Sequence, residues 1–146
     1  MEQVVNKVML GKSKFLISIK YTEGDDGKLL ESNEFFDKSF RENLERLRLH
    51  LDAYLGFDGK EKAVLVVDTV TFANTDKQPI KLTFHAKLNA QQAGIGISLM
   101  RGDAYMKLAE DDEEDVLALV YKDINELQEG CLRYLNGERA QQNFEM

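Results

Sequence analysis

The chain holds one cysteine, one proline and two histidines, and none of its purely aliphatic runs exceeds the five residues from Ala63 to Val67. Each scarcity removes a class of protein. A lone thiol at Cys131 cannot close an internal disulfide, so stability has to come from a packed core. Five aliphatic residues fall far short of the roughly 20 that a membrane-spanning helix needs. Met1 to Leu10 interleaves Glu2, Asn6 and Lys7 with its apolar residues, which leaves no stretch of the kind a signal peptide requires. The expected location is therefore the cytoplasm, with no membrane contact.

The same scarcity bears on chemistry. His50 and His85 are isolated, and neither has a second His or Cys at metal-ligand spacing. Asp25 and Asp26 lack the rest of a calcium-loop pattern. Cys131 falls on the apolar stripe of a helical segment, where a thiol packs as a small hydrophobe, and no Gly-x-Ser-x-Gly elbow occurs. Gly94-Ile95-Gly96 begins like a dinucleotide fingerprint, but Leu99 stands where the third glycine belongs. No catalytic residue, metal or cofactor is expected.

What is present fits one globular domain over residues 1–146, with 43% hydrophobic and 31% charged content. A chain of this length buries about two-thirds of the surface that its unfolded form exposes. Residues 138–146 read as a frayed tail. The net charge of −7 is unevenly spread. Residues 110–146 carry 11 acidic and 3 basic side chains, whereas residues 1–109 carry 15 and 16. The acidic excess therefore belongs to the last quarter.

Phe15, Ile17, Ile19 and Tyr21 alternate with more polar residues at a period of two, which predicts a strand. The turn chemistry of Glu23 to Gly27 predicts a hairpin returning through Lys28 to Phe36. Ser39 and Glu42 have capping-box spacing, and Phe40, Leu44, Leu47, Leu51 and Leu55 form a helical stripe that Gly56 closes. Residues 62–73 and 79–88 read as a second hairpin, with Pro79 at a strand start. Ile95, Ile97 and Leu99 alternate in a further strand, and Tyr105 to Leu108 suggest a short one. A final helix runs from Asp112 to Asn136, with Val116, Val120, Ile124, Leu127, Cys131 and Leu135 on one stripe. The expected architecture is α+β in the order ββαββββα, an antiparallel sheet of five to six strands with both helices packed on one face.

Three features could carry function. Lys14, Lys20, Lys81, His85 and Lys87 can share the outer face of the sheet with Ser18, Thr22, Thr69, Thr71 and Thr83, and such a face suits phosphates or other anions. It lacks the aromatics that stack unpaired bases, and as plain structure it is a solvated sheet whose lysines deter edge association. Glu110, Asp111, Asp112, Glu113, Glu114 and Asp115 form an acidic run where the last helix begins. The helix macrodipole accounts for part of it, and a docking surface for a basic partner or a cover for the lysine face could account for the rest. Leu49, opposite the apolar stripe of its helix, is a second docking candidate. Asp68 has the parity of Val64, Val66, Val70 and Phe72, so it is either a buried carboxyl with a raised pKa or turned outward by a bulge.

Val67 to Phe72, Leu82 to Leu88 and the acidic last helix ending Leu135-Asn136-Gly137-Glu138 resemble small bacteriophage and prophage proteins of unassigned function, over about residues 62–139. The resemblance implies no activity and no site residue. The expected function is thus that of a non-catalytic accessory or protein-interaction protein, phage-like in origin, with a protein partner or a second copy of itself. The alternatives are a nucleic-acid-associated protein using the lysine face, and a small enzyme or ligand carrier around Asp68.

Overall fold

The alternation of Ile17 and Ile19 with Ser18 and Lys20 forms a strand, and six such strands make one sheet in the computed structural model. It describes residues 2–11, 14–56, 64–75, 77–88, 91–102 and 115–138. In chain order the strands are β1 (Gln3–Leu10), β2 (Ile17–Glu23), β3 (Asp26–Ser32), β4 (Val64–Thr71), β5 (Ile80–Leu88) and β6 (Gln91–Leu99). Helix α1 (Lys38–Leu55) lies between β3 and β4, and α2 (Val116–Leu135) follows β6. The sheet order is β3-β2-β1-β4-β5-β6, with every neighbour antiparallel.

The expected α+β class, antiparallel sheet and two helices are all present, and the sheet has six strands where five to six were expected. Three strands precede α1 because Gln3–Leu10 is itself a strand, at the centre of the sheet. The short strand expected at Tyr105 to Leu108 lies outside the described residues.

Both helices cover the same face. Val8, Ile17, Ile19, Leu65, Val70, Leu82 and Phe84 are fully buried beneath Phe40, Leu47 and Leu51 of α1 and Val120, Ile124, Leu127 and Cys131 of α2. Each large aliphatic or aromatic side chain taken from water this way contributes about 1.5–3 kcal/mol. Burial also pushes the Cys131 thiol well above the ordinary thiol range.

The helix ends are set locally. Asp37, rather than Ser39, caps α1, its carboxylate accepting from the amide of Phe40 at 2.9 Å. Ser39 falls inside the first turn, so the expected Ser39 to Glu42 capping box does not form. Gly56 ends the helix at φ 78°, a conformation that costs a residue with a Cβ. Asp115 caps α2 in the same way as Asp37, accepting from the amide of Ala118 at 3.2 Å. Just past β6 the chain turns in toward α2, where Tyr121 donates its hydroxyl to the carbonyl of Met100 at 2.6 Å. Gly102 is buried there against Tyr121, so closely that a Cβ would lie 2.2 Å from the ring.

Candidate functional site

The face of the sheet opposite the helices is shaped by two irregularities. Pairing between β1 and β2 slips between Val5 and Lys7, and pairing between β4 and β5 slips between Val67 and Thr69. Each slip inserts one extra residue into its strand, so that two consecutive side chains take the same side. Val5 and Val8 are both buried, although a regular strand would put them on opposite faces. Lys7 thereby joins the outer face. In β4, Val67 and Val70 are both buried, and Asp68 is carried outward to lie beside Thr69.

The resulting register aligns side chains across all six strands. Leu29 pairs with Lys20, Lys20 with Lys7, Lys7 with Thr71, Thr71 with Lys81, and Lys81 with Ser98. Three lysines thus stand in one row over four neighbouring strands spaced about 4.8 Å apart. Lys20 and Lys7 are direct cross-strand partners, and like charges in that position repel. Among the described residues no carboxylate lies within ion-pairing distance of Lys7, Lys20 or Lys81. Two open depressions adjoin Asn6. One, of about 300 Å³, is lined by Thr71, Gln78, Pro79 and Lys81, and the other, of about 380 Å³, by Lys20, Thr22, Gly27 and Leu29.

The face is also partly apolar. Leu29 is 50% exposed at the end of the lysine row, and Val66 is 42% exposed opposite His85. In the adjacent row Thr69 and Thr83 join their hydroxyls, next to the half-buried Met9.

The residues singled out in the sequence are placed as follows. Lys20 and Lys81 stand in the row. Asp68 is not a core carboxyl. It accepts from Nδ1 of His85 with both oxygens, at 2.9 and 3.0 Å, so the outer face does contain a carboxylate and His85 is occupied by it. Lys14 precedes β2, off the strand, with its ammonium 5.5 Å from the ring centre of Phe15. Lys87 lies in β5 opposite Val64, and its side chain is outside the described residues. Leu49 is 50% exposed on the outer side of α1. Glu110, Asp111, Asp112, Glu113 and Glu114 fall outside the described residues, and Asp115 serves as the cap of α2. Lys7 is the member of the row that sequence periodicity missed. Its signal is the spacing of Val5, Val8 and Leu10, which reads as a strand only once a bulge at Asn6 is allowed.

A second polar cluster joins the two helices. Asp123 of α2 is 3% exposed and bonded to Nδ1 of His50, with Arg46 Nε at 3.9 Å. Burial raises its carboxyl above the ordinary range, and the His50 hydrogen bond opposes part of that rise. Asn43 donates to the Asp123 carbonyl at 3.1 Å, and Arg46 pairs with Glu126 at 2.9 Å. These contacts fix the angle between α1 and α2. Among the described residues there is no group of three or more His, Cys, Asp or Glu that could hold a metal ion, and no helix long and apolar enough to cross a membrane.

The sequence matches no protein-family model, and searches of curated proteins and of solved structures find no match.

Proposed function

We propose that this protein is a non-catalytic interaction protein whose uncovered sheet face docks an acidic, partly apolar segment of a protein partner. The observation that carries the reading is the row Lys20, Lys7, Thr71 and Lys81, in which two lysines oppose each other with no carboxylate beside them among the described residues. An anionic partner relieves the repulsion between Lys7 and Lys20 and gains the charge-assisted hydrogen bonds that ammonium groups offer. Leu29, the direct neighbour of Lys20, and Val66, farther along β4, supply exposed apolar surface on the same face. That combination suits a peptide carrying both carboxylates and hydrophobic side chains.

The lysine row with its neighbouring hydroxyls also favours a second reading, a nucleic-acid backbone bound through phosphates. Three neutralised phosphates predict that log K falls against log salt with a slope of about −2 for a single strand. Against it stand the apolar Leu29 and Val66 in place of stacking rings.

Fluorescence anisotropy separates the two. A labelled peptide of interspersed glutamates and leucines and a labelled single-stranded oligonucleotide are each titrated at low salt. The proposal expects the peptide to bind more tightly. Binding of the oligonucleotide alone would transfer the face to the second reading, and binding of neither would remove both.

A further inference from the structure

The two edges of the sheet differ in a way that the lysine face does not account for. Strand β3, at one edge, carries Asp26, Lys28 and Glu31, the charged kind of edge that resists pairing with another strand. Strand β6, at the other, reads Gln-Gln-Ala-Gly-Ile-Gly-Ile-Ser-Leu over nine residues, with no charge and no proline. It pairs with β5 residue for residue from Leu99 to Gln91 without a bulge. None of the usual devices that blunt an edge is present in it. Its other side has no strand neighbour among the described residues, and beyond Leu99 the chain turns in toward Tyr121 of α2.

The side chains of β6 divide cleanly. Ile95, Ile97 and Leu99 lie on the helix side, half-buried against the rim of the core, while Gly94, Gly96 and Ser98 lie on the outer side. A strand added antiparallel at this edge would cover the open flank of the isoleucines on one side and meet almost no bulk on the other.

We propose that the occupant of this edge is β6 of a second copy of the chain, paired antiparallel about Ile95. In that register Ile95 faces Ile95 of the other copy, Gly94 faces Gly96 and Ile97 faces Ala93, so every pair from Ala93 to Ile97 is apolar or small, while Ser98 and Leu99 at the ends meet Gln92 and Gln91. The match is self-complementary, as a two-fold interface requires. The charge distribution supports a second copy over a charged partner. β6 brings no charge of either sign to the contact, so it offers a charged segment nothing to pair with. The product is a continuous sheet across two molecules, with the two lysine faces on the same side.

The test uses the full chain. Light scattering gives the mass, and the variants Ile95→Cys and Ile97→Cys are exposed to a mild oxidant and run without reductant. The native Cys131 is fully buried and stays out of the reaction. Directly opposed residues in an antiparallel pair lie about 4.5–5.5 Å apart at Cα, inside the range for a disulfide. The expected result is a dimer mass for the native chain, a covalent dimer with Ile95→Cys, and little or none with Ile97→Cys. A monomer mass overturns the proposal. So does a dimer mass in which Ile95→Cys, with native-like circular dichroism, fails to cross-link, or in which both variants cross-link equally.

Discussion

Lys7 of β1 and Lys20 of β2 face each other directly across the strand pair, on the side of the sheet that neither helix covers. A fold under selection for stability alone has little reason to keep two ammonium groups in that arrangement. Replacing one of them separates stability from binding. Lys7→Gln is expected to leave the chain as stable as before, or to stabilise it by about a few tenths of a kcal/mol, while weakening capture of an acidic peptide several-fold. Urea unfolding and anisotropy on the same sample check both halves.

The bulge at Asp68 makes an unusual deletion tolerable. Removing Asp68 leaves Val67 and Val70 facing inward, because the extra residue is the one taken out. Its expected cost is the lost pairing with His85, about 0.5–1.5 kcal/mol. Inserting an alanine between Thr69 and Val70 instead throws Val70 and Phe72 onto the solvent face and should prevent folding. Cooperative thermal unfolding, followed by circular dichroism, is expected for the deletion and not for the insertion.

Gly102 and Tyr121 are in close contact at the exit from β6. Gly102→Ala has to displace the Tyr121 ring and its hydrogen bond to the Met100 carbonyl. The expected destabilisation is about 1–3 kcal/mol, read as a lower urea midpoint with an unchanged slope.

Asp123 should titrate above its ordinary value of 3.8 because burial disfavours its charged form. The folded state then holds this proton to higher pH than the unfolded state does. Its contribution to stability is therefore fullest below the ordinary value and declines as pH rises through the raised one. The carboxyl carbon shift of Asp123, followed by NMR against pH, should show a midpoint above 3.8.

Much of the architecture was legible wherever the period held. Ile17 and Ile19 in β2, Leu82 and Phe84 in β5, and the stripes of α1 and α2 announced both their element and their buried face. The bulges hid the rest. In β1 the inward residues are Val5, Val8 and Leu10, spaced three and then two, which matches neither a strand nor a helix by simple counting. The lysine face was therefore visible in Lys20 and Lys81 but not in Lys7, its central member. Parity alone left Asp68 with two readings, and the bulge between Val67 and Thr69 decides for the outward one, on the side of Val66 and opposite Val70. Asp37 caps α1 two residues earlier than the Ser39 to Glu42 spacing indicates, where Phe36 and Phe40 stack with ring centres 4.6 Å apart.

The row of Lys20, Lys7 and Lys81 is proposed above as a binding surface for acidic protein segments. It is tested most directly by adding the acidic peptide to isotopically labelled protein and following the backbone amides by NMR. The amides of Lys7, Lys20, Thr71 and Lys81 are expected to shift most, and the shifts to vanish in Lys7→Glu/Lys20→Glu/Lys81→Glu while the fold is retained. Shifts confined to α1 or α2, or unchanged binding by the triple variant, would contradict it.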